Sequence, residues 1–204
     1  MGAVTKRCGW AEGSALMIAY HDREWGVPLH NDRKLFEYMV LDGFQAGLSW
    51  AIILNKREGF REAFNNFEAE KIARYTTRRI ERLLSDPKII RNRQKITATV
   101  TNARAFLQVQ EEFGSFATFI WQFVGGTPRH NSWKTMRQIP TRTKESDKMS
   151  GALQDRGFKF VGSTICYAFM QAAGMVNDHL VTCFRHAEVR GPDKHDRSPR
   201  QSRC

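Results

Sequence analysis

The pair His179-x-x-x-Cys183 sets two metal-ligand side chains four residues apart. On a helix that spacing puts both on one face, one turn apart, an arrangement a tetrahedral metal accepts. Cys8 and His21 add two more ligand types near the other end of the chain. Together the four would make a Cys2His2 set, a closed kind that zinc uses structurally, with no open position for catalysis. The separation from His21 to His179 is not finger spacing, and a blander reading stands beside it. Buried cysteine behaves as a small hydrophobe, and buried histidine is satisfied by hydrogen bonds.

A second concentration is aromatic. Trp10, Tyr20, Trp25 and Trp50 crowd the N-terminal quarter. A planar purine between two such rings gains about 1–3 kcal/mol per stacking contact. The same residues also suit an ordinary core. A third feature is cationic: Arg91, Arg93 and Lys95 fall close together, either to meet phosphate or to form a solvated helix face.

The elements that must carry these residues read as helices. Asn31 or Asp32 can cap a helix through Leu35, Phe36, Met39 and Val40, ended by Gly43. Trp50 to Phe64 forms a second stretch, and Thr76 or Thr77 caps a third that stops at Asp86-Pro87. Apolar positions Ile96, Val100, Ala103 and Leu107 predict a long amphipathic helix from Ile89 to Leu107. Ser115 opens an aromatic-rich helix closed by Gly125-Gly126, and another spans Glu145 to Asp155. Ser163 to Val176 is apolar nearly all round and should be buried. Strand signals are few and no repeat stands out, so the fold class is all-α.

In 204 residues, 32 Lys and Arg against 21 Asp and Glu leave a net charge of +11, which suits a polyanion such as DNA, RNA or an acidic membrane surface. No run approaches the roughly 20 apolar residues of a bilayer span, and the start lacks a secretory signal, so a cytoplasmic protein is expected. Cys8, Cys166, Cys183 and Cys204 then should not form a disulfide framework. One domain over 1–189 is expected, with a basic, disordered tail over 190–204.

Five segments occur in a telling order: Arg7-Cys8-Gly9-Trp10, Ala19-Tyr20-His21-Asp22, Glu24-Trp25-Gly26-Val27-Pro28, Gln45-Ala46-Gly47-Leu48-Ser49-Trp50 and Gly157-Phe158-Lys159-Phe160-Val161-Gly162. Met170-Gln171-Ala172 and Val176-Asn177-Asp178-His179 follow. From Arg7 to Cys183 the chain resembles the 3-methyladenine DNA glycosylase I (Tag) family. The resemblance implies a helix-hairpin-helix fold of two helical lobes, gripping double-stranded DNA that carries alkylated adenine. It also implies that Cys8, His21, His179 and Cys183 hold one structural zinc tying the N- and C-terminal segments together, and that free 3-methyladenine is the product; a monomer is expected.

Residue by residue, the resemblance sets Tyr20 and Trp50 facing the excised base, with Trp10 and Trp25 helping to form its pocket. Asp42 stands where the family usually has Glu, whose carboxylate recognises the edge of 3-methyladenine. The shorter arm withdraws that acceptor by about 1.5 Å, more than a good hydrogen bond tolerates unless backbone or water compensates. Met17 replaces the Tyr of some members. Gln45 and Leu48 match a wedge that fills the gap left by the flipped nucleotide, with an ordinary core Leu as the alternative. Asp86 to Arg93 matches the family's hairpin, with Lys88 where Gly is common, so Lys88, Arg91 and Arg93 are expected on phosphate. Without the family, Asp42 reads as a solvated helix-end acid. Its shortness also admits an altered lesion preference, or a damaged-DNA-binding module without activity. No lysine has the setting of an amine nucleophile, which favours a monofunctional hydrolase.

Overall fold

Polar caps decide where the helices begin. In the computed structural model, which describes residues 5–190, Ser14 Oγ accepts from the Met17 amide to start α1 (Ala15–Arg23). Asn31 Oδ1 accepts from the Lys34 amide to start α2 (Asp32–Gln45). Thr76 caps α6 (Thr77–Leu84), Asn92 caps α7 (Arg93–Phe113), and Ser115 caps α8 (Phe116–Trp121). Each oxygen satisfies an amide that a helix start leaves unpaired. Between them lie α3 (Trp50–Asn55), α4 (Arg57–Ala63) and α5 (Ala69–Ile72). Thr143 and Ser146 form a reciprocal capping box at the start of α9 (Lys144–Asp155), followed by α10 (Ser163–Ala172) and α11 (Phe184–Arg190). The expected helical class holds. One two-residue parallel pair, β1 (Arg129–His130) on β2 (Val176–Asn177), is added.

α2 is the axle. Every residue from Leu35 to Phe44 on it is buried, and it meets α3, α7, α8 and α10. Its first residue fastens it: the Asp32 carboxylate accepts from the Phe116 and Ala117 amides at 2.8 and 2.9 Å, an anion at the N-terminus of α8. Rings of Phe36, Phe106 and Phe116 fill the space between, at centroid separations of 4.8 and 4.6 Å. The N-terminal segment is strapped to the end of α10 by Gly26 N–H to Gln171 O and Leu29 N–H to Ala173 O. Gly174 makes this possible, because a Cβ there would lie 2.3 Å from the Val27 carbonyl carbon.

Several boundaries depart from the sequence expectation. Gly43 does not end α2; the left-handed glycine is Gly47, at φ +79°, and the last carbonyls of α2 are capped by Lys95. The stretch from Trp50 is two helices divided at Lys56. α7 starts at Arg93, where Asn92 caps it, and continues to Phe113. α10 ends at Ala172, before β2. Residues 178–183 are not helical, so His179 and Cys183 meet across a turn closed by Cys183 N–H to Leu180 O. Of the expected tail, Arg190 ends α11, while 191–204, with Cys204, lie outside the described residues. Among the described residues no helix is long and apolar enough to cross a membrane.

Candidate functional site

Two buried acids on α2 divide the roles. Glu37, 3% exposed, accepts from Arg57 Nε at 2.7 Å and Arg61 Nε at 2.9 Å. Burial alone would raise its pKa, yet Arg57, Lys34 and Arg61 hold the carboxyl below its ordinary value. Asp42, 2% exposed, has no such company: its Oδ2 is buried without a hydrogen-bond partner. Burial alone pushes the Asp42 carboxyl well above the usual carboxylate range. Glu37 is a structural anchor, whereas Asp42 is an acid kept unsatisfied. The expectation of a solvated helix-end Asp is overturned, because α2 runs on past it and places it on the inner face.

What Asp42 faces is a cavity of about 370 Å³, within the range of small-molecule sites. Trp10, Tyr20, Trp25, Gln45 and Trp50 line it, so the expected aromatic residues do converge there with Asp42. Tyr20 and Trp50 lean on one another at 5.2 Å and 47°, forming one tilted wall and not the two leaves of a sandwich. Trp50 Nε1 is the cavity's second buried polar atom without a partner. Burial, helped by the neighbouring Tyr38 and Asp42, pushes the Tyr20 phenol far up, so it stays neutral and serves as a ring face and an O–H. Met17 is buried but is not among the lining residues, which takes it out of the pocket wall.

Two further segments line the cavity that sequence reasoning did not assign. One carries Met136, Ile139, Pro140 and Thr141; the other is α10, through Thr164, Tyr167, Ala168 and Gln171. The α10 residues recur at helical spacing, a stripe with three polar members on an apolar helix, and that stripe was the available signal. Asp178, fully buried, joins the two segments: Oδ1 accepts from Asn131 and Trp133, and Oδ2 from Tyr167 and Gln171.

Behind Trp25 lies the second cluster. Cys8, His21, His179 and Cys183 are all buried, with ligand atoms within 4.8 Å of one another, and could hold a metal ion. Cys183 Sγ stands 3.5 Å from His21 Nε2 and 3.6 Å from His179 Nδ1; Cys8 Sγ stands 3.7 Å from His179 Nδ1. The outer nitrogen of each ring is engaged elsewhere: His21 Nδ1 lies 2.8 Å from Asp22 Oδ1, and His179 Nε2 lies 3.1 Å from the Trp25 carbonyl. Arg7 in turn grips Asp22 at 2.7 Å. Edge-on contacts of Trp25 with His179 at 4.6 Å and with Trp10 at 5.0 Å connect this cluster to the cavity.

The cationic residues separate. Lys88 and Arg91 are exposed on the connection from α6 to α7, and Arg93 is exposed as the first residue of α7. Lys88 pairs with Glu62, and Arg93 with Glu81 at 2.6 Å. Lys95 is not on a solvated face: 8% exposed, it reaches back to α2. Leu48, 37% exposed, projects from the loop between α2 and α3, which is not the core placement offered as its alternative.

The comparisons with known proteins agree with this arrangement. The methyladenine glycosylase family model matches residues 10–186. The chain is 51% identical over 178 residues to DNA-3-methyladenine glycosylase 1 of Escherichia coli, covering 87% of this chain and 95% of that one. It is 46% identical over 180 residues to DNA-3-methyladenine glycosylase of Haemophilus influenzae, covering 88% and 97%. A crystal structure of 3-methyladenine DNA glycosylase I superposes with a TM-score of 0.87 at 50% identity, covering 89% of this chain and 100% of the other. One such glycosylase solved in complex with 3-methyladenine superposes at 0.86, with 34% identity and coverage of 89% and 97%.

Proposed function

The chain belongs to the methyladenine glycosylase family, and from that premise we propose that the cavity over Asp42 receives 3-methyladenine flipped out of duplex DNA. It is a base-excision DNA glycosylase, a hydrolase acting on 3-methyladenine. The observation that carries the placement of the site is the unsatisfied Asp42 in an aromatic-lined cavity.

Flipping costs a few kcal/mol, which the pocket must return through stacking and edge hydrogen bonds. Alkylation at N3 makes the purine cationic and already a good leaving group, so little acid catalysis is needed. As the N-glycosidic bond breaks, its electron pair goes to the base, water adds to C1′ of the sugar, and the water's proton is released. Asp42 contributes a negative field to the cationic base, and the Tyr20 and Trp50 faces favour the same charge. A cation brought against Asp42 draws its raised pKa back down, so the carboxyl ionises when the right ligand arrives. The shorter side chain, relative to the usual Glu, leaves a preference for another N3-alkyladenine as the second reading. Chromatography of bases released from DNA bearing several lesions decides between them.

The Cys8, His21, His179 and Cys183 cluster fits a structural zinc. Zinc bonds of about 2.3 Å to sulfur and 2.0–2.1 Å to nitrogen set sulfur and nitrogen ligands about 3.6 Å apart in a tetrahedron. The separations of 3.5, 3.6 and 3.7 Å match. Ring nitrogens held by Asp22 and by the Trp25 carbonyl are the supporting contacts that metal-bound histidines have. The ion would join the segment before α1 to the turn before α11, and would supply no catalysis.

The helix-hairpin-helix reading assigns Lys88, Arg91 and Arg93 to phosphate, with Gln45 and the exposed Leu48 at the gap in the duplex. Two helical lobes, a monomeric state and a cytoplasmic location complete the proposal.

A further inference from the structure

We propose that Gln171 is the residue by which the pocket tells alkylated adenine from alkylated guanine, and that Asp178 fixes the orientation that lets it do so. The proposal rests on the cavity being the base pocket. Both oxygens of Asp178 are engaged: Oδ1 accepts from Asn131 Nδ2 and Trp133 Nε1, each at 2.7 Å, and Oδ2 from the Tyr167 hydroxyl at 2.7 Å and Gln171 Nε2 at 2.8 Å.

A carboxylate offers acceptors alone, so the Gln171 amide must turn its NH2 end to Asp178. The orientation is thus imposed by chemistry. What remains is the Oε1 acceptor of a residue that lines the cavity. The two purines differ at position 6, where adenine carries an amino donor and guanine an oxo acceptor. An acceptor fixed in the pocket bonds the first and opposes the second, and a buried polar group left unmatched is what makes such discrimination strong.

Asp42 shares the cavity, but with no partner on Oδ2 its carboxyl is not held to one hydrogen-bonding role. A carboxyl that carries a proton can donate to an oxo group as readily as an ionised one accepts from an amine. Gln171, locked by an acid that the cavity does not touch, has no such freedom: Asp178 is absent from the lining while Tyr167 and Gln171 belong to it. Gln171 is therefore specificity-determining and Asp178 is a positioning residue.

The test is single-turnover release of 3-methyladenine and 3-methylguanine from methylated DNA, with enzyme in excess. Gln171→Met keeps the volume and removes the acceptor. It should slow 3-methyladenine release on the order of tenfold, the scale of one lost hydrogen bond, and leave 3-methylguanine release unslowed. Asp178→Asn frees the amide to reverse and should lower the same ratio. Because Asp178 neighbours His179, its variant is first checked by thermal melting, and Gln171→Met carries the test alone if it does not fold. An unchanged ratio, or equal loss on both bases, overturns the proposal. Release of neither base by the wild type would instead overturn the reading of the cavity, and the proposal with it.

Discussion

Lys95 Nζ stands 2.6 Å from the carbonyl oxygen of Ala46 and 2.8 Å from that of Phe44, so a cation from the first turn of α7 closes the C-terminus of α2. A helix end leaves carbonyls unpaired, and its dipole favours positive charge there. Asp42 and Gln45 sit in the turn that Lys95 completes. Lys95→Met should lower stability by about 2 kcal/mol, the cost of a buried charged hydrogen bond, and slow excision as well. Denaturant midpoints measure the first. Lys88→Met, whose side chain is exposed, serves as the control that leaves the midpoint in place.

Lys95 also shows where the sequence stopped being readable. It falls beside Arg91 and Arg93, and nothing in residue order separates an interior cap from two surface cations. Asp42 and Glu37 pose the same difficulty: both are buried acids on one helix, and Arg57 and Arg61, arriving from α4 to join Lys34, make one of them structural. The helix starts were legible because Asn31, Thr76 and Ser115 cap through local bonds. The ligand set was legible through residue type, although the turn that joins His179 to Cys183 was not. The α10 wall of the cavity was missed because its polar stripe is narrow, and because the partner that orients it, Asp178, lies past the end of the helix.

Asp42 should trade stability for activity. Its folded pKa is raised, so its burial is tolerated fully below the unfolded carboxylate pKa, and stability is lost as pH rises through the folded value. Asp42→Asn should therefore melt higher than wild type at neutral pH, with the gap closing toward pH about 4. Excision of 3-methyladenine should fall while binding of undamaged DNA stays near normal. Single-turnover excision equal to wild type would remove Asp42 from the mechanism. Asp42→Glu, which restores the longer arm, tests whether reach limits the rate.

Elemental analysis of the purified protein should find about one zinc per chain, and a metal-free protein that remains stably folded would count against the clamp. The supporting residue gives a finer test. Asp22 holds His21 at 2.8 Å and is itself kept ionised by Arg7, whose hydrogen bond lowers its pKa. Asp22→Asn should weaken zinc affinity by about 10–100-fold in competition with a chromophoric chelator, without touching the cavity. Unchanged affinity would separate Asp22 from the metal centre.

Arg93 meets Glu81 through two contacts, at 2.6 and 2.9 Å, in an exposed pair that contributes little to stability. If this connection grips phosphate, DNA and Glu81 compete for the same guanidinium. Replacing both Arg91 and Arg93 with Ala should weaken binding equally on all sequences. It should also flatten the dependence of log K on log salt by about 1.8, the release of two counterions. Glu81→Gln should act in the opposite direction, tightening binding at low salt by freeing Arg93, with no effect on the release of base once DNA is saturating. Fluorescence anisotropy over a salt series reads both variants. A slope unaltered by loss of the two arginines would move the phosphate contact elsewhere on the surface, and Glu81→Gln would then leave affinity where it was.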